Sequence, residues 1–349
     1  MPDAVPVAVI GATGYTGVEI LRYLLAHPSV RVAAVVARQA AGRPLGEAVP
    51  SLFGSAGELT CEALDVDDIA GRAEAFLTCL PHGASQGVVN DLRERGRTVL
   101  DLSADHRLGD LDLHQRVHGE HAHPDRLGEA IYGLPELFRE RLKGARLVGV
   151  PGCYPTAATL ALWPAVSGGL IDPTDLIVDA KGGVSGAGKS PGPATHFPEC
   201  GEGITAYKVL EHRHGPEIER ALSVATGVDV RVLFTPHLVP MSRGILCTAY
   251  GRLVDGVDPD AVRPAYERAY GDEAFVHLLP PGTVPHTRDV RGSNQARVSV
   301  HVDAASRRVV LISAIDNLGK GAAGQAVQCL NLSLGLDEGL GLQGAPLYP

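Results

Sequence analysis

The sequence predicts an α/β domain joined to an α+β domain. The first is a doubly wound parallel sheet, and the second is built on a mixed or antiparallel sheet. Two observations predict this. In the first half, short apolar runs alternate with stretches of helical periodicity. In the second half the runs 231–234, 244–250, 295–302 and 309–313 read as strands without regular helices between them. At 349 residues the chain is long enough for two domains.

The elements follow in order. Val7-Ala8-Val9-Ile10 is a short apolar strand that runs into Gly11-Ala12-Thr13-Gly14-Tyr15-Thr16-Gly17. A helical pattern over 18–25 ends at His27-Pro28, and 30–36 forms a second strand. Strand, glycine turn, helix and strand make a βαβ unit of Rossmann type. The glycines allow a tight turn and let the backbone approach a pyrophosphate at the helix N-terminus. The spacing is G-x-x-G-x-x-G, so its weight comes from its place between strand and helix. Gly11, Thr13, Gly14, Tyr15, Thr16 and Gly17 are therefore candidate dinucleotide contacts. The second strand ends at Ala37-Arg38-Gln39 with no acid for a ribose 2′-hydroxyl. Arg38 suits a 2′-phosphate and points to NADP(H), or else is a solvated surface arginine. A strand over 75–80, a helix over 86–94 and a strand over 98–103 continue the alternation. Ligands bind beyond the carboxyl ends of such strands. Pro81 to Ser85 and Ser103 to Arg107 lie at those ends.

The second half holds the reactive groups. Val148-Gly149-Val150-Pro151-Gly152-Cys153 breaks an apolar run and presents one thiol before a helix over 156–166. A thiol at a helix N-terminus is biased toward the nucleophilic thiolate. A strand over 175–180 leads into Lys181-Gly182-Gly183-Val184-Ser185-Gly186-Ala187-Gly188-Lys189, a loop able to cradle an anion with backbone N–H groups. It is not a triphosphate loop, because Pro191-Gly192-Pro193 follows where a helix would have to open. His212-Arg213-His214 supplies general acid/base candidates, and the two rings point to opposite sides if the stretch is extended. Glu217 either binds substrate or starts a helix, and Arg107 either binds an anion or pairs structurally. The last helix, after Asp316-Asn317, is expected to pack back on the first domain. The expected division is 1–151 with 316–349 as the dinucleotide domain, and 152–315 as the catalytic and oligomerisation domain.

Composition excludes several classes. The net charge is −9 with no basic run, which argues against nucleic acid or an anionic membrane as partner. No basic n-region opens the chain, and no apolar stretch is long enough for a bilayer span. The six cysteines show no CxxC spacing, and the H-x-H pair has no third ligand at metal spacing, so no metal is expected. Free thiols suit a reducing cytoplasm. Cys79 and Cys247 read as buried strand residues, Cys329 as a buried helix residue, and Cys200 as a loop residue.

A thiol, a histidine pair and an NADP-type fold form a coherent set. The chain closely resembles the N-acetyl-γ-glutamyl-phosphate reductases, relatives of aspartate-semialdehyde dehydrogenase. The likeness rests on residues 11–17, Asp101-Leu102-Ser103-Ala104-Asp105-His106-Arg107, Pro151-Gly152-Cys153-Tyr154-Pro155-Thr156, Ser185-Gly186-Ala187-Gly188, His212-Arg213-His214-Gly215-Pro216-Glu217 and Asp316-Asn317-Leu318-Gly319-Lys320-Gly321. The Asn-Cys pair of aspartate-semialdehyde dehydrogenases is absent. The resemblance implies NADPH-dependent reduction of an acyl phosphate through a thioester on Cys153, with phosphate released and His214 or His212 moving the protons. It implies substrate contacts from Arg107, Ser103, Tyr207 and Glu217. It adds Pro81, Ser85, Ser185, Gly186, Ala187, Gly188 and Asn317 to the cofactor set, and a homodimer or homotetramer. This chain departs from the family at His106, Gly182 and Gly215, where the family often has Phe, Ser and Thr. Two rivals stand beside this reading: a reductase for the longer aminoadipyl phosphate, and a non-catalytic NADP-binding sensor.

Overall fold

The computed structural model describes residues 4–348. They fall into two compact units, Met1–Pro151 with Ala322–Gly344, and Gly152–Gly321 with Ala345–Pro349.

The first unit contains β1 (Val5–Ile10), α1 (Tyr15–Leu24), β2 (Val30–Val36), α2 (Leu45–Ala48), β3 (Cys61–Glu62), α3 (Val66–Arg72) and β4 (Ala75–Thr78). It continues with α4 (Gln86–Glu94), β5 (Thr98–Asp101), α5 (Leu111–His118), β6 (Ile131–Tyr132), α6 (Pro135–Leu142) and β7 (Leu147–Gly149). Its sheet has the order β3-β2-β1-β4-β5-β7-β6, and all its pairings are parallel. Strands covered on both faces carry near-continuous apolar side chains. Accordingly β4 and β5 are buried at every position. The strand order reverses between β1 and β4, so the loops after β1, β4 and β5 emerge side by side.

The second unit contains α7 (Cys153–Ser167), β8 (Leu176–Gly183), α8 (Phe197–Cys200), β9 (Thr205–Ala206), α9 (His214–Thr226), β10 (Val232–Val239) and β11 (Ile245–Arg252). Then come α10 (Val262–Tyr270), β12 (Val276–Leu278), β13 (Ala296–Asp303) and β14 (Arg308–Ile315). Its sheet order is β12-β13-β14-β11-β8-β10-β9. The β10–β8 and β12–β13 pairs are parallel and the rest antiparallel. Helices α7, α9 and α10 pack together and against these strands. Helix α7 is apolar nearly all round, as a helix buried on every side must be.

Several boundaries differ from the sequence reading. Strand β8 runs on through Gly182 and Gly183, because their backbones pair with Leu238 and Val239. Helix α7 begins at Cys153 itself, since Pro155 suits a first turn whose N–H groups have no intrahelical acceptor. Cys79 lies just past β4 and is half-buried, and Cys200 closes the short α8 instead of lying in a loop. The final helix, α11 (Gly324–Ser333), belongs to the first unit. The chain returns to that unit at Ala322, later than residue 316. Asp316 is held in the second unit by Arg243, 2.9 Å away, and by the Gly292 and Leu318 N–H groups. The tail at 345–348 also stays there, with the Leu347 N–H donating to the Arg291 carbonyl.

Candidate active site

In the first unit the glycine turn has little room for side chains. A Cβ at Gly11 would lie 2.5 Å from the Cys79 carbonyl oxygen, and one at Gly17 2.3 Å from the Gly11 oxygen. Gly11 also has φ +86°, a left-handed conformation that glycine adopts without cost. Gly14 caps α1 without any side-chain hydrogen bond, so the helix offers its first N–H groups outward. Tyr15 and Arg38 are exposed beside that turn and at the end of β2. These features fit a dinucleotide pyrophosphate.

The loops after β4 and β5 converge on one carboxylate. Asp101, wholly buried, accepts from Thr78 Oγ1 at 2.8 Å, Ser85 Oγ at 2.7 Å, Ser103 Oγ at 2.7 Å and His106 Nδ1 at 2.6 Å. Burial pushes its pKa up, but the hydrogen bonds and charge of His106, with Ser103 and Ser85, outweigh that and hold it down at about 2. The Ser85 and Ser103 hydroxyls are thus engaged in positioning the loops. Arg107 donates to the Leu102 carbonyl at 2.7 Å.

In the second unit Cys153 lines a cavity of about 380 Å³ with His212, His214, Tyr207 and Asn317. That size suits a small metabolite. Cys153 is the first residue of α7, whose N-cap Gly152 makes no side-chain cap bond. The end of the helix therefore faces the thiol with positive potential. Gly321 gives the thiol room, since a Cβ there would lie 2.8 Å from Cys153 Cβ. His214 is likewise the first residue of α9. Glu217, one turn further on and buried, accepts the Gly152 N–H at 2.8 Å. Its carboxylate is spent on joining the start of α7 to α9, which the sequence reading did not foresee.

The His212-Arg213-His214 stretch is a turn, not a strand, so both rings face one cavity, with centroids 4.6 Å apart. His212 Nδ1 accepts the His214 N–H at 3.1 Å, which leaves the proton of the neutral ring on Nε2. Burial, then Lys208 and Arg213, lower the pKa of His212 to about 4. Tyr154, Tyr207 and Phe234 surround that ring. Tyr207 donates to Tyr154, which donates to the His237 carbonyl. Burial raises the pKa of both phenols, so they remain donors. A Cβ at Gly182 would come within 2.2 Å of the Tyr154 hydroxyl, so in this chain that hydroxyl occupies the space a family serine would need. Asn317, which also lines the cavity, accepts the Gly244 N–H at 2.7 Å and donates to Ser185 Oγ at 2.9 Å. Gly186 and Ala187 line the cavity there, and Gly188, with φ +86°, turns the loop away. Sequence reasoning missed Tyr154 and Gly321 as site residues. An aromatic and a glycine beside a thiol carry no spacing signal.

The family model for semialdehyde dehydrogenase, NAD binding domain, matches residues 6–145. The model for semialdehyde dehydrogenase, dimerisation domain, matches 153–317. The chain is 48% identical to N-acetyl-gamma-glutamyl-phosphate reductase of Moorella thermoacetica, over 98% of this chain and 99% of that protein. It is 48% identical to the protein of that name from Rhodospirillum rubrum, over the whole of both chains. Among solved structures it shares the fold of aspartate semialdehyde dehydrogenase II from Vibrio cholerae, with a TM-score of 0.72 at 18% identity over 95% of this chain and 98% of that one. The NADP-containing aspartate semialdehyde dehydrogenase from Candida albicans gives 0.71 at 15% identity, over 94% and 98%. By its identity to these relatives over nearly its full length, the chain belongs to the N-acetyl-gamma-glutamyl-phosphate reductase family.

Proposed function

We propose that the chain reduces N-acetyl-γ-glutamyl phosphate to N-acetylglutamate 5-semialdehyde and phosphate, in arginine biosynthesis, through a thioester on Cys153. The observation that carries this is Cys153 at an uncapped helix N-terminus, in one cavity with two histidines. The Cys153 thiolate forms a C–S bond to the acyl carbon, and the C–O bond to phosphate breaks. N–H groups at the start of α7 stabilise the tetrahedral oxyanion. NADP(H), when bound at residues 11–17 with Arg38 toward its 2′-phosphate, supplies the hydride equivalent. His214 takes the thiol proton, and His212, with its proton on Nε2, donates toward the acyl oxygen. When the C–S bond breaks, the aldehyde leaves and the thiol recovers its proton.

The same proposal includes a homo-oligomer and a cytoplasmic location. On the second sheet Leu233, Ile177 and Tyr250 stand in register across β10, β8 and β11, and are 50%, 36% and 36% exposed. A row of that kind suits a second copy. No helix among the described residues is long and apolar enough to cross a membrane.

The test is NADP-linked, phosphate-dependent oxidation of the semialdehyde. Cys153→Ser should lower turnover by at least roughly 1,000-fold with unchanged circular dichroism. Retention of full activity by that variant would rule out the thioester and leave another nucleophile, whereas absence of turnover in the wild type would leave the non-catalytic sensor.

A further inference from the structure

The cavity around Cys153 is electrostatically unlike the chain that forms it. The protein carries a net charge of −9, yet the residues lining the cavity include Lys208, Arg213 and two histidines and no carboxylate. A cation-bearing pocket lined by no carboxylate, in an acidic protein, favours an anion and concentrates it locally. Lys208 is exposed and makes no ion pair among the described residues, so its ammonium is not committed to the protein. Its backbone is the second observation. Lys208 has φ +45° and Leu210 φ +62°, left-handed conformations that are unfavourable for residues with a Cβ. The segment is fixed on both sides. The Tyr207 N–H bonds the Pro236 carbonyl, and the Glu211 N–H bonds the Lys208 carbonyl. Strain held in this way, in a segment ending at His212, places a cation where a relaxed backbone would not.

We infer that Lys208, with Arg213 beside it, forms an oxyanion subsite of the Cys153 cavity. It receives an anionic group of the substrate, either the phosphoryl group or the α-carboxylate. The inference rests on the reaction proposed above and adds a residue to it. The sequence reading gives side-chain anion binding to Arg107, in the other unit, and backbone anion binding to the 181–189 loop, several of whose residues line this cavity, but it assigns nothing to Lys208 or Arg213. Lysine fits the role because an ammonium on a flexible stem meets an oxyanion as a point charge from several directions. Its nearness to His212 adds a function, since a bound anion there would offset the cationic field that helps hold the ring neutral.

Two measurements on Lys208→Gln test it, with Lys208→Arg as the conservative control. Both variants keep a side chain of similar length at a left-handed position, and thermal melts check their folding. In the oxidative direction, Lys208→Gln should raise one Michaelis constant by roughly tenfold or more while leaving kcat within about threefold. A rise for phosphate identifies the phosphoryl group, and a rise for the semialdehyde identifies the carboxylate. Lys208→Arg should recover most of the loss. The second measurement needs no turnover: inorganic phosphate or N-acetylglutamate should slow alkylation of Cys153 by iodoacetamide in the wild type, and less so in Lys208→Gln. Wild-type values in Lys208→Gln for both constants and for protection overturn the subsite. Absence of turnover with intact, Lys208-dependent protection would instead overturn the reaction and leave the subsite standing.

Discussion

Histidines cluster twice in this protein, once beside carboxylates and once beside cations. In the first unit the rings of His82, His106, His114, His118 and His121 lie in a chain, with neighbouring centroids 4.6–6.2 Å apart. Carboxylates anchor it: His106 Nδ1 is 2.6 Å from Asp101, and His82 Nδ1 is 2.5 Å from Asp105. In the second unit His212 and His214 sit among Tyr154, Phe234 and two cations, in a cavity lined by no acid. Neither cluster is disposed to hold a metal ion among the described residues. The contrast shows what surroundings do to one residue type. Beside a buried carboxylate, imidazole is a structural tie. Burial is the main cause that lowers the pKa of His114 and His121 in the first cluster, His121 to about 4, whereas at His212 neighbouring cations add to burial and leave a neutral ring with its proton free to serve a substrate.

The contrast breaks most severely at Asp101. Asp101→Ala should cost about 3–5 kcal/mol in denaturant unfolding, because four side-chain donors lose their acceptor in the interior. If the cost stays below about 1 kcal/mol, the carboxylate is not the anchor of that cluster. The second cluster depends on ring packing instead. Gly182→Ala places a Cβ 2.2 Å from the Tyr154 hydroxyl, and the Tyr154 ring lies 5.9 Å from both His212 and His214. A loss of about 1–3 kcal/mol is expected, with altered turnover, read by melts and steady-state rates.

The pH response gives a smaller effect. His212 has a folded pKa of about 4 against 6.5 for the free ring. Its folded value is depressed, so it costs no stability above about pH 6.5 and costs progressively more as pH falls toward 4. After allowance for the solvent access of a half-buried ring, the loss is about 1–2 kcal/mol by pH 5. Unfolding curves at pH 7 and pH 5 should show that much less decline in His212→Gln than in the wild type. The smallest effect is at Gly215, next to His214. An added Cβ there meets only Phe234 Cβ, at 3.7 Å. Gly215→Ala should therefore stay within about 0.5 kcal/mol of wild type in the same assay.

Much of this was legible in the sequence, and the limit is physical. The βαβ start was readable because glycine spacing and hydrophobic period agree over consecutive residues. Cys153 was readable because Pro and Gly punctuate its turn. The short elements β3, β6 and β12 were not, since two or three residues carry no period and form only where a neighbouring strand accepts them. Helices α3, α5, α6 and α10 were also missed: none is longer than 9 residues, so each shows its period over little more than two turns. The role of Glu217 was beyond reach because its partner, Gly152, lies 65 residues away in sequence. The orientation of the histidine pair depended on a turn whose left-handed residues, Lys208 and Leu210, are not types that announce one.

One feature of the fold bears on how the protein is made. Helix α11 supplies buried Ala326, Val327, Cys329 and Leu330 to the first unit and packs there with α1 and α6. A chain emerging from the ribosome presents residues 1–151 long before that helix exists. The first unit must wait with an apolar surface uncovered while the whole of the second is synthesised. Folding of nascent chains generally proceeds from the N-terminus by complete domains. Here that order is inverted, and the second unit, almost continuous in sequence, is the one free to fold first.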